Sequence, residues 1–550
     1  MRLPQPFLTA GAVLALAALA AACDGGDGTP PASTPASDST ELPSPAPTIQ
    51  VTIPVPDEEQ VIPATTVDLA SATPLFTVLS ADLKDLQTGI SSVTVGDFSG
   101  DGIEDLLFGL PFADGPDNSR EEAGEAFVFF GGSEMSGEVD LAEEQPDLHV
   151  LGALAGDNLG FNVGAGDLNG DGIDDVIVGA PGSNGLTNIR TDLGEAYVIF
   201  GGPDLGGTID TADEDQDFTL IPAEGFTRVG TTFAVADVND DGIDDLVAGG
   251  PFGGREAGTP PGGQRTTLGE VYVVFGSRDL KGGVSVAEDQ QDVLLSGARE
   301  LDAFGQAVAA ADVNGDGIAD IIVGSRGYDG ADGSRTSAGA AFVFFGSRDL
   351  GGRLGIADAD LTVLGADPED ALAETLATGD VDGDGLADLV LVARTADGLE
   401  NGRDNAGDVY VIRGSSSLGG TLDLATAEAD GVIYGPVRNE LMATSLAVRD
   451  IDGDGRDDLV LGTPLASSAG RSLNGVVYVL SSDRLSGVWD LRTDVEDALY
   501  VYGEADEDGL GTGLAAGDLN GDGRPELALV AAGGQSDRSE GGRVFVIALP

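Results

Sequence analysis

The chain has 550 residues, of which 95 are Asp or Glu and 26 are Lys or Arg, so its formal net charge is −69. This charge excludes nucleic acid as a favourable partner, because binding phosphates requires a basic surface. Hydrophobic residues make up 41% of the chain and glycine accounts for 85 residues, a composition that argues against a disordered acidic polymer. The placement of the acidic residues must therefore distinguish cation sites from a salt-adapted surface.

The N-terminus has the pattern of an export signal. Arg2 precedes an apolar stretch, residues 7–22, that is too short to span a bilayer stably and ends in small residues before Cys23, the only cysteine. We predict that residues 1–22 are a signal peptide. The arrangement resembles a bacterial lipoprotein signal, which implies lipidation of Cys23 after cleavage, although Ala20 stands where leucine is usual. The alternative is an ordinary signal peptide with a cysteine near the cut.

Residues 23–70 are predicted to form a disordered tether behind the lipid-anchor cysteine. Nine prolines between Pro30 and Pro63 are mixed with Ser, Thr and Ala, and such a segment cannot bury enough apolar surface to fold. This layout predicts an exported protein that is held at the cell envelope by a lipid anchor alone and exposed at the surface. Residues 71–550 are predicted to form the folded domain.

One pattern, D-x-[DNS]-x-D-G-x-x-[DE], recurs along that domain at intervals of 68 to 75 residues. Its seven copies start at Asp97, Asp167, Asp237, Asp312, Asp380, Asp450 and Asp518. Short β-branched and aromatic runs accompany each copy, such as residues 161–165, 176–179, 194–200 and 217–221 around the second. Four strands per repeat of about 70 residues predict one propeller blade.

The last repeat ends at Pro550 before a fourth strand can form, whereas residues 74–79 supply an extra strand ahead of the first loop. If this N-terminal strand completes the last blade, the ring closes and no sheet edge stays exposed at the junction. We therefore predict an all-β fold, a seven-bladed β-propeller of 28 strands.

The repeated loop predicts a calcium site in every blade. Positions 1, 3, 5 and 9 carry side-chain oxygens, position 7 can offer its carbonyl, and glycine at position 6 permits the sharp turn. Hard oxygen ligands in a flexible cluster suit calcium better than magnesium or zinc. Position 8 varies freely and position 9 is always acidic, so only position 9 is assigned as a ligand. The alternative is a set of acidic β-turns, since Asp-Gly is a common turn dipeptide.

We expect up to seven structural calcium ions, and we expect the side chain at position 7 to pack inward. The predicted ligands, loop by loop, are Asp97, Ser99, Asp101, Ile103 and Asp105; Asp167, Asn169, Asp171, Ile173 and Asp175; Asp237, Asn239, Asp241, Ile243 and Asp245; Asp312, Asn314, Asp316, Ile318 and Asp320; Asp380, Asp382, Asp384, Leu386 and Asp388; Asp450, Asp452, Asp454, Arg456 and Asp458; and Asp518, Asn520, Asp522, Arg524 and Glu526.

The chain resembles the FG-GAP repeats of the integrin alpha-subunit propeller and its bacterial relatives. Phe304-Gly305 before one loop and Gly179-Ala180-Pro181 after another carry the two halves of the family's name, and blades five and seven lack the proline form. The resemblance covers residues 71–550. It implies a seven-bladed propeller with calcium hairpins on one face and ligand recognition on the other, without fixing a ligand.

An arginine stands four residues before the glycine that opens the third strand of every blade. These residues are Arg120, Arg190, Arg265, Arg335, Arg403, Arg471 and Arg538. They are predicted to lie opposite the aspartate loops. Each guanidinium either binds carbonyls or an acid of the next blade, which is the favoured interpretation, or contributes to a basic ring for an anionic ligand.

Three classes of function remain. The favoured class is a monomeric, calcium-stabilised binding or adhesion module for an unidentified extracellular protein or glycan, with the variable loops around residues 251–268 at its recognition surface. A passive envelope scaffold or spacer is the second class, and a carboxylate-based hydrolase or lyase acting on polysaccharide is the third. Because the only histidine, His149, lies in a predicted strand and no nucleophile motif occurs, we predict that the protein is not an enzyme.

Overall fold

The computed structural model describes residues 65–80, 92–115, 118–184, 193–222, 227–253, 268–286, 290–482, 485–494, 498–533 and 542–549. The predicted signal peptide, Cys23 and the tether up to residue 64 lie outside the described residues. In the part of the chain that is described, no helix has the length and apolar character needed to cross a membrane.

The described residues form 35 strands and three short 3-10 helices. The helices are Thr211–Asp213, Ile356–Asp358 and Leu399–Asn401. The strands are β1 (Thr65–Asp68), β2 (Phe76–Leu79), β3 (Ser92–Gly96), β4 (Asp105–Leu110), β5 (Glu125–Phe129), β6 (Gly137–Asp140), β7 (Leu148–Leu151), β8 (Val163–Gly166), β9 (Asp175–Ala180), β10 (Glu195–Ile199), β11 (Gly207–Asp210), β12 (Phe218–Ile221), β13 (Thr232–Ala236), β14 (Asp245–Gly250), β15 (Glu270–Val274), β16 (Gly282–Ser285), β17 (Val293–Ser296), β18 (Phe304–Ala311), β19 (Asp320–Ser325), β20 (Ala340–Phe344), β21 (Gly352–Gly355), β22 (Leu361–Leu364), β23 (Leu372–Gly379), β24 (Asp388–Ala393), β25 (Asp408–Ile412), β26 (Gly420–Asp423), β27 (Gly431–Tyr434), β28 (Ser445–Arg449), β29 (Asp458–Thr463), β30 (Val476–Leu480), β31 (Gly487–Asp490), β32 (Ala498–Tyr502), β33 (Leu510–Gly517), β34 (Glu526–Ala531) and β35 (Arg543–Ile547).

Every blade is built in the same way. In the second blade, β8, β9, β10 and β12 are antiparallel neighbours, and β16 pairs in parallel with β12. The fifth strand, β16, belongs to the next repeat, between its third and fourth strands. The seven sheets are β3-β4-β5-β7-β11, β8-β9-β10-β12-β16, β13-β14-β15-β17-β21, β18-β19-β20-β22-β26, β23-β24-β25-β27-β31, β28-β29-β30-β32-β1 and β33-β34-β35-β2-β6.

The prediction of an all-β, seven-bladed propeller is confirmed, but the prediction of 28 strands is wrong. Seven five-stranded sheets give 35 strands among the described residues. The fifth strands are four residues long, and most start with two exposed residues, as β11 does. Such short, half-exposed segments lack the apolar alternation by which a strand is recognised in a sequence.

The N-terminal segment closes the ring in two blades rather than one. The predicted pairing is confirmed, because β2 runs antiparallel to β35 from Phe76 opposite Val546 to Leu79 opposite Arg543. In addition, β1 pairs in parallel with β32 and completes the sixth blade. Because β1 lies within the predicted tether, the folded part starts before residue 71, and the compact unit extends from Pro63 to Pro550.

Apolar side chains from neighbouring blades form the core between them. Leu107 and Leu148 of the first blade, for example, pack in one cluster with Val176, Val178 and Tyr197 of the second. All six residues of the second strand β9 are buried, and its first residue is position 9 of the aspartate loop. The loop is therefore joined directly to the most buried strand of its blade.

The FG and GAP glycines meet where two blades approach each other most closely. A Cβ on Gly179 would lie 2.1 Å from the carbonyl oxygen of Gly230 in the next blade, a distance that no side chain can occupy. The fourth blade lacks the proline form as well as blades five and seven. Arg326 in the fourth blade and Arg394 in the fifth stand where the motif has proline, and both guanidiniums pair with Glu374, at 3.6 and 3.0 Å. An ion-pair cluster therefore takes the place of the proline at these two strand ends.

Candidate calcium loops and the arginine face

Position 1 of the loop holds the turn together. In the second loop, Asp167 Oδ1 accepts the N–H groups of Gly170 and Asp171 at 2.7 and 3.0 Å, and its Oδ2 accepts that of Gly172 at 2.7 Å. Gly172 has a φ of 88°, the left-handed region in which glycine is unstrained. In all seven loops, the glycine at position 6 donates to the carboxylate at position 1.

In six of the loops, position 9 accepts an N–H group from just beyond the end of the third strand. Asp175 accepts the N–H of Gly201 at 3.0 Å and that of Leu168 at 2.9 Å. The position-9 side chains are at most 1% exposed: Asp105, Asp175, Asp245, Asp320, Asp388, Asp458 and Glu526. Burial raises the pKa of Asp175 to about 7, and that of Asp105 to about 6. A buried carboxylate of this kind is stabilised by a nearby cation.

The remaining donors converge at positions 1, 3 and 5. Two loops have aspartate at all three positions, and in each the three residues offer carboxylate oxygens within 4.8 Å of one another; these are Asp380, Asp382 and Asp384, and Asp450, Asp452 and Asp454. In the second loop, the Asn169 side-chain N–H₂ donates to Asp175 at 3.1 Å, so that bond leaves the amide oxygen of Asn169 available as a ligand. Positions 3 and 9 are thereby joined.

The first loop offers a separate indication of fit. The hydroxyl oxygen of Ser99, at position 3, is buried and has no hydrogen-bond partner among the described residues. Buried polar atoms are satisfied in most native structures, so an atom of this kind calls for a ligand or an ordered water. The loop offers only oxygen donors, folds in a tight turn and leaves the Ser99 hydroxyl unpaired. These three features match what calcium requires of a site.

Positions 7 and 8 each contact the loop of the preceding blade, and the sequence predicts neither contact. The position-7 side chain packs against its own blade and also covers the preceding loop. Ile173 Cγ2 would lie 2.7 Å from a Cβ on Gly201 of its own blade, and Ile173 Cδ1 would lie 2.7 Å from a Cβ on Gly100 in the preceding loop. Position 8, interpreted as freely variable, also contacts the preceding loop, since Asp174 accepts the N–H of Asp97 at 2.9 Å. A comparison of position 8 among the repeats could have indicated such a contact, because the position is acidic in four of seven copies.

The opposite face carries the loop arginines, and we call it the arginine face. It is formed by the connections from second to third strands and from fourth strands to the next blade. Arg120 binds Asp210 through two bonds of 2.7 Å each and the carbonyl of Gly152 at 2.7 Å. Asp210 ends β11, which the next repeat contributes to the blade of Arg120. The hydrogen bonds from Arg120 hold the pKa of Asp210 below its usual value.

Equivalent pairs hold the fifth strands of three further blades, Arg335 with Asp423, Arg403 with Asp490 and Arg471 with Asp68. In these four blades the guanidinium binds an acid from the next repeat, as the favoured interpretation predicts. Arg190, Arg265 and Arg538 lie outside the described residues.

We expect Arg335→Ala to lower the melting temperature by about 3–5 °C. Arg335 binds both carboxylate oxygens of Asp423 at 2.7 and 2.9 Å and also donates to the Gly365 carbonyl. Losing one partner of a mostly buried pair costs about 3–5 kcal/mol, and a domain of this length loses about 1 kcal/mol per degree. Scanning calorimetry measures the change.

Arg438→Ala is the matched control for that measurement. Arg438 pairs with Asp404 at 3.1 Å, but their side chains are 57% and 62% exposed, so the expected shift is below about 1 °C. If the two variants melt at the same temperature as the parent protein, the loop arginines do not hold the blades, and the basic-ring interpretation gains support.

The arginine face also presents exposed apolar groups. Leu301, before the first strand of the fourth blade, is 68% exposed, and Leu399 is 39% exposed. In the same blade as Leu301, Arg299 stacks over the buried ring of Tyr328, with its Cζ 5.3 Å from the ring centroid. Residues 254–267 of the long loop fall outside the described residues.

The histidine in β7 has aromatic and acidic neighbours. The ring of His149 stacks on that of Phe127, with ring centroids 4.6 Å apart, and its Nε2 forms a hydrogen bond with Glu125 at 2.8 Å.

Comparison with known proteins agrees with this architecture. The FG-GAP repeat model matches residues 159–199, 229–274, 304–344, 373–412, 442–480 and 510–547. These segments contain the first three strands of blades two to seven. The chain is therefore a seven-bladed β-propeller with six FG-GAP repeats, one in each of blades two to seven.

Two kinds of named protein are among its relatives. It is 34% identical over 252 residues to human phosphatidylinositol-glycan-specific phospholipase D, covering 43% of this chain and 26% of that protein. It is 31% identical over 245 residues to integrin alpha pat-2 of Caenorhabditis elegans, covering 43% of this chain and 18% of that one. The Dictyostelium discoideum phospholipase D is 25% identical over 390 residues, 67% of this chain and 38% of the relative.

These relatives correct one prediction. From the single histidine and the lack of a nucleophile motif, we predicted that the protein is not an enzyme. Several relatives that share its sequence bear the name of an enzyme, phosphatidylinositol-glycan-specific phospholipase D, so that prediction is wrong. The chain spans between 18% and 38% of the length of the relatives described above, so their activities are not assigned to it.

Proposed function

We propose that this protein is a calcium-stabilised binding module, exported and held at the cell envelope through Cys23, which recognises a partner with its arginine face. The observation that carries the proposal is the set of carboxylates at positions 1, 3 and 5, which approach within 4.8 Å in the fifth and sixth loops. Carboxylates this close repel one another and favour a bound cation. Calcium would supply the charge that balances them, and the loops would hold it with oxygen ligands.

The partner surface is proposed from what the arginine face exposes. Leu301 and Leu399 offer exposed apolar area, and Arg299, whose side chain is 36% exposed and stacks on the buried ring of Tyr328, offers a cation. Exposed apolar groups, aromatic rings and arginines are enriched where proteins bind other proteins. Arg335 and Arg403, paired with Asp423 and Asp490, hold the loops that carry Tyr328 and Leu399, so the scaffold is rigid beside these groups. Similarity to an integrin alpha chain supports the same assignment.

A pull-down tests this surface. The full chain, with Cys23→Ser to prevent lipidation, is used to capture proteins and glycans from extracellular and envelope extracts in calcium. We expect Leu301→Glu to abolish capture of a partner that the parent protein retains. Val488→Glu is the matched control, because Val488 is 64% exposed but lies in β31 at the outer edge of the fifth blade. Capture that survives Leu301→Glu would place recognition elsewhere, and no specific capture would favour a passive scaffold.

A further inference from the structure

Position 8 of six aspartate loops contacts the loop of the preceding blade. The N–H of Asp97, at position 1 of the first loop, donates to Asp174 Oδ2 at 2.9 Å. In return, the N–H of Asp174 donates to the Asp97 carbonyl at 3.2 Å. One residue of the second loop therefore holds a proposed calcium ligand of the first loop through both of its main-chain groups.

The side-chain half of this contact recurs at four junctions between blades. The position-8 carboxylates accept position-1 N–H groups in the pairs Asp174 with Asp97 at 2.9 Å, Asp244 with Asp167 at 3.3 Å, Asp457 with Asp380 at 2.8 Å and Glu104 with Asp518 at 2.6 Å. The last pair joins the first blade to the seventh. The contact therefore crosses the place where the ring closes.

The other three junctions lack the side-chain hydrogen bond because position 8 is not acidic there. Ala319 and Ala387 keep only the main-chain bond, to the carbonyls of Asp237 and Asp312 at 3.2 and 3.0 Å. Pro525, at position 8 of the seventh loop, has neither an N–H nor a carboxylate. The seven loops thus form a series of neighbours that is interrupted between the sixth and the seventh.

Position 8 lies between two proposed ligands of its own loop, the carbonyl at position 7 and the carboxylate at position 9. In the second loop, Ile173 at position 7 also covers Gly100 of the first loop, and Asp175 at position 9 is fully buried. An ion bound in the second loop fixes positions 7 and 9, and so it fixes the residue that holds Asp97.

We propose that the position-8 acids are positioning residues that couple calcium binding between neighbouring loops. Glu104, Asp174, Asp244 and Asp457 carry the coupling, and Pro525 interrupts it. Calcium binding in one loop then orders part of the preceding loop, which raises the calcium affinity of that preceding loop. By linkage, calcium in the preceding loop raises the affinity of the first by the same factor. The inference rests on the calcium sites of the proposed function.

Isoleucine methyl NMR gives a separate readout for individual loops. Four loops have isoleucine at position 7, namely Ile103, Ile173, Ile243 and Ile318. In the deuterated full chain with labelled isoleucine δ1 methyls, each signal reports a calcium midpoint. We expect Asp174→Ala to raise the midpoint at Ile103, in the first loop, about fivefold. Ile318, in the fourth blade, should stay within about twofold. Alanine already occupies position 8 in the fourth and fifth loops, so the fold tolerates it.

Asp174→Asn separates the hydrogen bond from the charge. Its amide oxygen can still accept the N–H of Asp97, so we expect the Ile103 midpoint to move by less than about twofold. If Asn and Ala shift it equally, the charge alone acts and the inference fails. If Ala leaves it unchanged while calcium still titrates the loop, the coupling is absent but the calcium sites stand. If no loop methyl of the parent protein responds to calcium, both proposals fall.

Discussion

Deleting residues 24–72 is expected to lower the melting temperature by about 5–10 °C and to make the protein self-associate. This deletion removes β1, whose parallel pairing with β32 completes the sixth blade. It also removes Leu69, which is 4% exposed in the core beside Val460 and Val477, at a cost of about 2 kcal/mol. Arg471 loses Asp68, its partner at 2.6 Å, and the unpaired edge of β32 becomes a template for another chain.

Calorimetry and light scattering measure the two effects. The matched control deletes residues 24–62, which ends before the compact unit that extends from Pro63. It should melt with the parent protein and stay monomeric. Asp68→Asn isolates the ion pair and should account for only part of the loss. Equal melting of the two deletions would show that β1 does not stabilise the sixth blade.

Removing calcium with a chelator is expected to lower the melting temperature by about 10–20 °C. Extracellular calcium modules bind with dissociation constants of about 0.1–1 mM, so about 10 mM calcium would stabilise the folded state by up to about 2.7 kcal/mol per site. Summed over up to seven loops and divided by about 1 kcal/mol per degree, this gives the expected shift. Magnesium should replace little of it, since it requires a stricter octahedral site.

Asp384→Asn assigns the effect to one loop. The Asp384 carboxylate accepts the N–H of Leu386 at 2.9 Å, a bond that asparagine can retain, and the substitution removes one of three carboxylates that repel one another, so the chelated variant should melt at or slightly above the temperature of the chelated parent protein. In calcium, the variant should gain about 2–3 °C less than the parent protein. Asp349→Asn, an exposed acid outside the aspartate loops, is the charge-matched control. Melting curves that coincide with and without calcium would contradict the calcium sites altogether.

The sequence was sufficient for the features that repeat with a strong local pattern. The glycine at position 6 and the buried second strands recur in every blade, so blade number and the place of each loop could be predicted. The fifth strands could not be predicted, because segments such as β11 are four residues long and become strands only by pairing with another repeat. That pairing also explains why β1 was assigned to the tether.

Contacts between loops could not be predicted from the repeated sequence pattern for the same reason. Asp97 and Asp174 are 77 residues apart, and nothing within one repeat distinguishes an acid that binds a neighbour from one that faces solvent. The arginine at the start of the third strand was predictable in part, since it recurs in every blade. Its partner Asp210 lies 90 residues away from Arg120 and became visible only in the folded chain.

The outermost strand of each blade comes from the repeat that follows, so the boundaries of the sequence repeats and those of the blades differ by one strand. A duplicated repeat inserted anywhere in the chain would give a strand to its predecessor and receive one from its successor, and it would leave no additional edge unpaired. The same offset makes the position of the natural ends arbitrary. A circular permutant that joins Pro550 to residue 63 and opens between any two other repeats would retain all the pairings described, with its new ends in neighbouring blades, as β1 and β35 are.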